Sequence, residues 1–377
     1  MKWELKTLDQ LGNVSRGRSK HRPRDDKRLF GGKYPFIQTA EVKAANFYIT
    51  DFTETYSDFG LLQSKLWHPG TLCITIAANI ADSVILGMDA CFPDSVMGFI
   101  PFEGVADVRF VKYCFDMLQR DCKQISQGTA QDNLSWKKLS TIKFPAPSYE
   151  EQVRIADILS AYDNLIENNQ KQIKLLEEAA QRLYKEWFVD LRFPGYETTP
   201  VVDGVPEGWQ KTNINEILTF HRGYDLTRAN MEAGPYPVVG ATSILGYHRE
   251  YKIPGPGIVT GRSGSLGQYQ FIWEDFWPHN TSLYVSDFKG HDIFYIFNLL
   301  QTVDFSALNN GGAIPTLNRN TLSNIEILEP PSALQAQYGA IAEPLYKKCR
   351  ALNLQNLKLV EARDRLLPKL MSGEIEV

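Results

Sequence analysis

The spacing that comes closest to a catalytic motif is a Pro-Asp pair followed by a distant Asp-x-Lys triplet. Pro93-Asp94 and Asp121-Cys122-Lys123 fit the loose pattern of some metal-dependent nucleases, which would cut DNA. Patterns this short arise readily by chance, and Asp121 and Lys123 fall at the end of a predicted helix. A stand-alone nuclease that uses Asp94, Asp121 and Lys123 is therefore kept only as an alternative hypothesis.

Other patterns that carry chemistry are absent from the sequence. No Asn or Asp precedes a proline, so the [DN]-P-P-[FY] motif of methyltransferases is missing, and no G-x-x-x-x-G-K-[ST] phosphate loop occurs. The segment TGRSGSLG (260–267) is glycine-rich but lacks the G-x-G-x-x-G pattern. The sequence therefore predicts no catalytic, cofactor-binding or metal-binding residues. The histidines, none of which has a partner at a metal-binding spacing, are His21, His68, His221, His248, His279 and His291.

Positive charge is concentrated in one segment, RGRSKHRPRDDKRLFGGK (16–33). Such a cluster could follow DNA phosphates, although a solvated surface loop has the same composition. Arg favours guanine edges, and Asn or Gln favours adenine, but each such residue alone could equally contact a phosphate or only water. The candidate DNA-binding residues on predicted loops are Arg16, Arg18, Lys20, Arg22, Arg24, Gln38, Asn79, Gln131, Arg222, Tyr224, Arg262, Ser263, Asn280 and Asn310.

The composition is that of an ordinary globular protein. The chain has 377 residues, of which 43% are hydrophobic and 22% charged, and this length suggests two or three domains. Its net charge of -4 excludes a uniformly basic nucleic-acid coat. The five cysteines include no C-x-x-C pair, which favours a reducing cytoplasm over a disulfide framework or a zinc ribbon. No signal peptide is predicted, because the N-terminal segment MKWELKTLDQL has no uninterrupted apolar region. No membrane span is predicted, because no apolar run approaches about 18 residues.

The sequence repeats itself once. WELKTLDQLGNVSRGR (3–18) aligns with WQKTNINEILTFHRGY (209–224), which places Arg16-Gly17 on Arg222-Gly223. GTAQDNLSWKKLSTIKFPAP (128–147) aligns with GGAIPTLNRNTLSNIEILEP (311–330). Ordered matches over the whole length indicate two copies of one ancestral unit. Each copy begins with short apolar runs broken by Gly, Pro, Asn and Asp, a pattern typical of strands and loops.

Each half ends in a long helical pattern with a heptad seam. Its residues recur at alternating steps of four and three, which is the period of a coiled coil. Each seam contains an Asn, which often fixes register, and Pro344 is expected to kink or restart the second helix. Two matched seams favour pairing of the helices with each other, although core packing would give the same pattern. The predicted helix-pairing residues are Ile155, Leu159, Tyr162, Ile166, Asn169, Ile173, Leu176, Leu183, Trp187, Tyr338, Leu345, Leu352, Asn356, Leu359, Leu366 and Leu370.

Three segments resemble the specificity subunit of type I restriction-modification enzymes. RLYKEWFVDLRFPG (182–195), followed by GVPEGW (204–209), resembles its centre, and LLPKLMSGEI (366–375) resembles its C-terminus. The alternation of a variable domain with a long helix also matches, and the resemblance covers almost the whole chain. It implies a non-catalytic DNA-specificity subunit whose two target-recognition domains each read one half of a bipartite, asymmetric site.

The resemblance also implies partners and cofactors. The paired helices would set the length of the unread spacer and would dock adenine methyltransferase (M) subunits, through which motor-nuclease (R) subunits join. A helix of about 35 residues is about 50 Å long, which exceeds the roughly 34–36 Å of one DNA turn. No cofactor is expected in this chain, whereas S-adenosylmethionine, ATP and Mg are expected on the partner subunits. Double-stranded DNA is the expected ligand, the cytoplasm the expected location, and no membrane association is expected.

Pattern and resemblance together predict an α+β fold. Two pseudo-repeated target-recognition domains, mainly β with small helices, are separated by two long antiparallel helices that form a coiled coil. The predicted segments are residues 1–149 for target-recognition domain 1, 150–192 for the first long spacer helix, 193–208 for a connector, 209–331 for target-recognition domain 2, and 332–377 for the second long helix and C-terminal tail.

A stand-alone dimeric DNA-binding regulator with a helical dimerisation rod remains an alternative, and such two-fold proteins favour palindromic sites. One observation bears on any DNA-binding hypothesis. Residues 193–329 contain 8 basic and 14 acidic residues, an unfavourable balance for contact with phosphates. We therefore expect this half to bind DNA weakly alone and to depend on partner subunits.

Overall fold

A computed structural model describes residues 3–76, 82–125, 139–262, 267–303 and 325–377. The chain divides into two compact units. The first unit contains Met1–Lys171 and Leu352–Val377, and the second contains Gln172–Ala351. Both long helices therefore contribute residues to both units.

Each half of the sequence contains, in order, a strand, a short helix, a series of strands, a helix, a strand and a long helix, and the first half has two further short helices among its strands. The helices are α1 (Leu8–Leu11), α2 (Thr39–Ala44), α3 (Asp58–Leu62), α4 (Val108–Ile125), α5 (Tyr149–Tyr184), α6 (Ile214–Ile217), α7 (Ile293–Thr302) and α8 (Ser332–Met371). The strands before α5 are β1 (Glu4–Thr7), β2 (Gly12–Arg16), β3 (Phe30–Phe36), β4 (Tyr48–Ile49), β5 (Glu54–Tyr56), β6 (Leu66–Trp67), β7 (Leu72–Thr75), β8 (Ser83–Leu86), β9 (Ala90–Cys91), β10 (Val96–Pro101) and β11 (Lys143–Ala146). The strands between α5 and α8 are β12 (Val201–Val202), β13 (Val205–Pro206), β14 (Gln210–Asn213), β15 (Thr219–Arg222), β16 (Tyr236–Val239), β17 (Ile244–His248), β18 (Gly257–Gly261), β19 (Tyr269–Ile272), β20 (Trp277–Pro278), β21 (Ser282–Asp287) and β22 (Glu326–Glu329).

The first unit contains two larger sheets and one two-stranded sheet. The five-stranded sheet has the order β2-β10-β7-β8-β4, and the four-stranded sheet has the order β5-β3-β9-β6. Strands β7 and β8 are buried along their whole length, in keeping with their continuous LCIT and SVIL sequences. Strand β1 pairs antiparallel with β11, which leads into α5.

The second unit has a similar arrangement among its described residues, with one strand fewer in each larger sheet and an additional two-stranded sheet of β12 and β13. Its larger sheets have the orders β15-β21-β18-β19 and β17-β16-β20. Strand β14 pairs antiparallel with β22, which leads into α8, as β1 does with β11 in the first unit. The predicted α+β fold with an internal repeat is confirmed.

Two aspartates cap equivalent helices in the two halves. The Oδ1 atom of Asp107 accepts hydrogen bonds from the backbone N–H groups of Arg109 and Phe110, at 2.8 and 3.2 Å. The Oδ1 atom of Asp292 accepts from Phe294 and Tyr295, both at 2.9 Å. A first helical turn has N–H groups without intrahelical partners, and these caps supply acceptors for them at the start of α4 and α7.

Two buried glutamines hold the start of the long helices in the same way. The Nε2 atom of Gln152 donates to the carbonyl oxygen of Pro147 at 3.0 Å. The Nε2 atom of Gln335 donates to the carbonyl oxygen of Pro330 at 2.9 Å. Each bond spans five residues and ties the helix to the strand before it. The sequence alignment of the two glutamines thus corresponds to a shared structural role.

Within the first unit, α5 and α8 are joined by polar contacts along their seam. The Nδ2 atom of Asn169 donates to Oδ1 of Asn356 at 2.8 Å. The Arg363 guanidinium donates to the carboxylate of Asp163, which is only 3% exposed. As the residue number rises along α5, its partner number on α8 falls, so the two helices are antiparallel.

Within the second unit the same direction holds. The Sγ atom of Cys349 donates to the carbonyl oxygen of Ile173 at 3.8 Å, and the Tyr338 hydroxyl donates to the carbonyl oxygen of Ala180 at 3.1 Å. Burial raises the pKa of the Cys349 thiol to about 11. The predicted antiparallel pairing of the two long helices is therefore present in each unit.

None of the predicted helix-pairing residues is fully exposed. The fully buried ones are Ile155, Leu159, Ile166, Asn169, Trp187, Tyr338, Leu352 and Leu370. The half-buried ones are Tyr162, Ile173, Leu176, Leu183, Leu345, Asn356, Leu359 and Leu366.

The predicted restart of the second helix at Pro344 is wrong. Helix α8 is continuous from Ser332 to Met371. Pro344 lies on the exposed face of this helix, whereas Ala342 and Tyr346 are buried in the core of the second unit. A proline removes one backbone hydrogen bond, and burial of the opposite face holds the helix together across that gap.

In each half, a buried tyrosine forms a hydrogen bond between the long helix and a shorter helix. The tyrosine lies on the shorter helix in the first half and on the long helix in the second. In the first unit, Tyr113 of α4 donates to Oδ2 of Asp163 in α5 at 2.5 Å. In the second unit, Tyr346 of α8 donates to Oδ1 of Asn298 in α7 at 2.9 Å. Tyr113 and Asn298 each lie six residues after their capping aspartate. The hydroxyl donor thus lies on the short helix in one half and on the long helix in the other.

We predict that Arg363→Ala destabilises the first unit by about 3 kcal/mol, because it removes the cationic partner of the buried Asp163 carboxylate. The matched control is Arg365→Ala, two residues away, which breaks an exposed pair with Glu361 and should cost less than about 0.5 kcal/mol. Urea unfolding followed by circular dichroism measures both variants. Equal losses would show that the Asp163–Arg363 pair has no special role.

We predict that Tyr346→Phe destabilises the second unit by about 1–3 kcal/mol, because the Asn298 carbonyl then has no hydroxyl donor. Adding Asn298→Leu should recover part of this loss, since both ends of the bond are then apolar. A double-mutant cycle in thermal unfolding measures the coupling. Strictly additive effects would contradict the hydrogen bond.

Candidate DNA-binding interface

An Arg-Gly turn occupies the equivalent place in both halves. The Gly17 N–H donates to the carbonyl oxygen of Val96 at 2.9 Å, and the Gly223 N–H donates to that of Ser282 at 3.1 Å. A side chain at either glycine would collide with backbone carbonyl oxygens of the facing segment. Only glycine permits this close approach, and the arginine before it, Arg16 or Arg222, is held at the surface on a fixed backbone.

In the first unit, a cleft of about 640 Å³ lies beside this turn. It brings together the basic segment, the end of β3 and the start of β5. Of the predicted DNA-binding residues, Arg24 and Gln38 line it. The other lining residues are Ser19, Asp25, Lys27, Phe30, Gly31, Phe36, Glu54, Tyr56, Pro93 and Ser95.

Several cations of the basic segment are already paired within the unit. Arg24 contacts the carboxylate of Asp94 at 3.0 Å, and Arg28 contacts that of Asp26 at 2.7 Å. Hydrogen bonds from Arg28, and then from His21, hold the pKa of the Asp26 carboxyl well below its usual range. Part of the positive charge counted from the sequence is thus neutralised locally.

Other basic side chains remain available to a ligand. Arg22 donates to the carbonyl oxygens of Ser19 and His21, each at 2.8 Å, and Arg18 donates weakly to the carbonyl oxygen of Leu62 at 3.4 Å. These bonds orient the guanidinium groups without neutralising them. Within the basic segment, the exposed cationic side chains that form no hydrogen bond or ion pair with any described residue are those of Arg16, Lys20, Lys27 and Lys33.

In the second unit, three of the predicted residues surround Asp225. Asn280 donates to the Asp225 carboxylate, and Arg222 lies 3.6 Å from it. Tyr224, which directly precedes Asp225, forms an isolated parallel β-bridge with His279. Asp225, His279 and Asn280 line a smaller cavity of about 430 Å³ together with Leu226, Thr227, Arg228, Met231 and Leu245.

The predicted residues Tyr224 and Arg262 are not among those that line this cavity. The Tyr224 hydroxyl lies 3.1 Å from that of Tyr284, and its ring packs against a buried cluster, so much of this side chain serves packing. The backbone N–H of Arg262 donates to the carbonyl oxygen of Thr281 at 3.2 Å. Arg262 is thereby placed next to the segment that contains Asn280.

Four predicted residues, Asn79, Gln131, Ser263 and Asn310, lie outside the described residues. The acidic members of these surfaces, Asp25, Glu54 and Asp225, were not among the predicted residues. A search for DNA contacts by positive charge and amide groups passes over carboxylates. The position of Asp225 in the sequence could have identified it, because Asp225 lies two residues after Gly223 of the Arg-Gly pair.

The nuclease hypothesis finds little support in the described geometry. Asp94 is paired with Arg24 rather than with a second carboxylate. Asp121 and Lys123 belong to α4, and their side chains lie outside the described part of the chain. Among the described residues, no group of three or more His, Cys, Asp or Glu side chains is placed to hold a metal ion. No helix in the described ranges is long and apolar enough to span a membrane.

Comparison with known proteins places these features in a family. The model of the type I restriction modification DNA specificity domain matches residues 1–178 and 206–362. The type I restriction enzyme MjaIX specificity subunit of Methanocaldococcus jannaschii is 24% identical, across 100% of this chain and 94% of its own length. The EcoprrI specificity subunit of Escherichia coli is 21% identical, across 88% of this chain and 86% of its own length.

A solved structure agrees in fold. The crystal structure of the type I restriction-modification system S subunit from M. genitalium superposes with a TM-score of 0.59 at 18% identity, covering 98% of this chain and 96% of that chain. The family model matches in two blocks that follow the internal repeat and together span most of the sequence. The chain therefore belongs to the type I restriction-modification DNA specificity family, the family of recognition subunits that its sequence predicts.

Proposed function

We propose that this chain reads a bipartite, asymmetric DNA sequence for a type I restriction-modification complex. Each half contacts one half-site through its Arg-Gly turn and the adjoining cavity. The observation that carries the proposal is the shared backbone frame of the two turns, with Gly17 and Gly223 bonded alike while the surrounding side chains differ. A common frame with unlike side chains suits two readers of unlike half-sites.

The two halves contribute unequally to electrostatic attraction in this proposal. Residues 1–149 have 19 basic and 16 acidic residues, whereas residues 193–329 have 8 and 14. Phosphate contacts position a protein on DNA, and base contacts select the sequence. The first half therefore supplies more of the phosphate contacts, and the second depends on base contacts and on the partner subunits.

We propose that M subunits, adenine methyltransferases, dock on the long helices and that R subunits, the motor-nucleases, join through them. Several apolar side chains of these helices face water, including Leu354 and Leu357 on one face of α8 and Ile158 and Leu165 on one face of α5. Exposed apolar groups on a shared face are typical of protein interfaces. S-adenosylmethionine, ATP and Mg belong to those partners in this proposal, and the complex acts in the cytoplasm, where the DNA is.

The direct experiment is purification of the tagged chain from its host, with the stoichiometry of the proteins that accompany it. Recovery of an adenine methyltransferase at about two copies per chain supports the proposal, and methylation mapping then gives the sequence read. Recovery of the chain alone, as a homodimer that binds one palindromic site, would instead support a regulator.

We predict that Lys27→Ala weakens DNA binding by the complex about equally on all sequences and lowers the slope of log affinity against log salt by about 1. Lys27 is exposed, lines the cleft and makes no ion pair with any described residue. The matched control is Arg28→Ala, which changes net charge equally but removes a cation already paired with Asp26. Fluorescence anisotropy at several salt concentrations measures both, and identical slopes for the two variants would contradict the phosphate contact.

We predict that the double variant Leu354→Glu with Leu357→Glu lowers the amount of methyltransferase that co-purifies at least tenfold, because charged side chains disfavour an apolar interface. Leu357 is 66% exposed, so the fold should tolerate the change. The control is Leu62→Glu at a recognition-domain position that is 72% exposed. Truncation of α8 is a poorer test, because Leu367 and Leu370 belong to the core of the first unit. Unchanged recovery of the methyltransferase would exclude this face as its docking site.

A further inference from the structure

We propose that Gln38 and Glu54 form one base-reading element that selects an adenine in the half-site read by the first unit, with Glu54 as the positioning residue. This inference rests on the proposed DNA-reading function and assigns it to particular atoms. Gln38 was a candidate by residue type alone, whereas Glu54 has no place in a search for DNA-binding residues by charge.

The backbone holds both residues rigidly. Glu54 begins β5, where it is the register partner of Phe36, the last residue of β3. Gln38 follows β3 by two residues, and its backbone N–H donates to Oε2 of Glu41 at 3.1 Å. Beneath them, the rings of Phe36 and Tyr56 stack with centroids 4.0 Å apart. The pair therefore stands on two strands fixed by a ladder and a buried aromatic stack.

The side chains fix each other. The Nε2 atom of Gln38 donates to Oε2 of Glu54 at 2.9 Å. A carboxylate accepts only, so it selects the amide orientation in which nitrogen, and not oxygen, faces Glu54. The amide keeps its second N–H and a lone pair of Oε1 for a ligand, and both side chains are exposed. Glu54 thus fixes the orientation of the Gln38 amide, so that its N–H donor and its oxygen acceptor each have a defined position.

That donor and acceptor match an adenine edge in the major groove. The free N–H can donate to adenine N7 while Oε1 accepts from the N6 amino group, which is the bidentate pattern by which Gln reads adenine. Guanine offers two acceptors at this edge and so leaves Oε1 without a donor. The order imposed by Glu54 therefore favours adenine over guanine.

The surroundings suit this pair to a DNA contact. Gln38 and Glu54 line the same cleft as Lys27, which forms no ion pair with any described residue, so a cation that can bind a phosphate adjoins the amide. A carboxylate beside phosphates weakens general binding through repulsion. Its presence in this cleft is accounted for by the orientation that it gives to Gln38.

The test uses the complete complex and duplexes that contain its mapped target. Each adenine of both half-sites is replaced in turn by 7-deazaadenine, which lacks only the N7 acceptor. We expect wild-type binding to fall about tenfold at one adenine, within the range for one bidentate pair. Gln38→Ala should bind more weakly but lose its sensitivity to replacement of that one adenine, while its sensitivity at other positions is retained.

Variants of Glu54 separate positioning from direct contact. Glu54→Ala should reduce the discrimination at the same adenine, and Glu54→Gln should largely restore it, because the amide oxygen can still accept from Gln38. Gln38→Glu has a side chain of the same shape but without an N–H donor. This variant should lose the discrimination even though the side-chain volume is unchanged. Lys27→Ala serves as the control and should weaken binding to every duplex alike.

Two results would overturn the inference while leaving the proposed function intact. One is a Gln38→Ala complex whose profile across all substituted duplexes equals that of the wild type. The other is a uniform loss of affinity with no change at any single adenine. Failure of the wild-type complex to select any sequence would instead contradict the proposed function itself.

Discussion

The contact between α5 and α8 is the interaction on which the rest of each unit depends. In the first unit, Leu159 and Leu367 share one core with Phe110 of α4, so the long helices form a wall of the recognition domain. In the second unit, Tyr184 and Tyr338 do the same for Tyr295 of α7. Because these side chains are buried against the sheets as well as against each other, separating the helices would also open both domain cores.

Polar groups within the seam give the pairing its register. An apolar seam alone permits several alignments of two helices, whereas a buried polar pair is satisfied in only one. Asn169 meets Asn356, and Asp163 meets Arg363, only at the observed alignment. Leaving a buried carboxylate without its cation costs several kcal/mol, so alternative alignments are strongly disfavoured. Polar contacts lower the stability of a coiled coil, and here they specify the alignment of α5 and α8.

Much of the fold could be predicted from the sequence, because it follows from periodicity. The heptad steps, the repeat and the Arg-Gly correspondence are local patterns, and Gly17 and Gly223 proved to hold equivalent turns. Features that depend on contacts between distant parts of the chain could not be predicted from local sequence patterns. The continuity of α8 through Pro344 depends on burial of the opposite face. Whether a basic side chain is neutralised, as Arg28 is by Asp26, depends on contacts that a count of charges does not contain.

The exchanged tyrosine bonds bear on how such chains can recombine. Tyr113 and Asp163 lie in one half, and Asn298 and Tyr346 lie in the other, so each bond is inherited within its own half. A crossover between equivalent positions inside one of these intervals would combine Tyr113 with a tyrosine, or Asn298 with an aspartate. The first combination places two tyrosine rings where each native pair has one ring and a smaller acceptor side chain, and the second buries a carboxylate without a hydroxyl donor. Exchange between the halves therefore preserves these bonds only when a short helix and the stretch of long helix bonded to it move together.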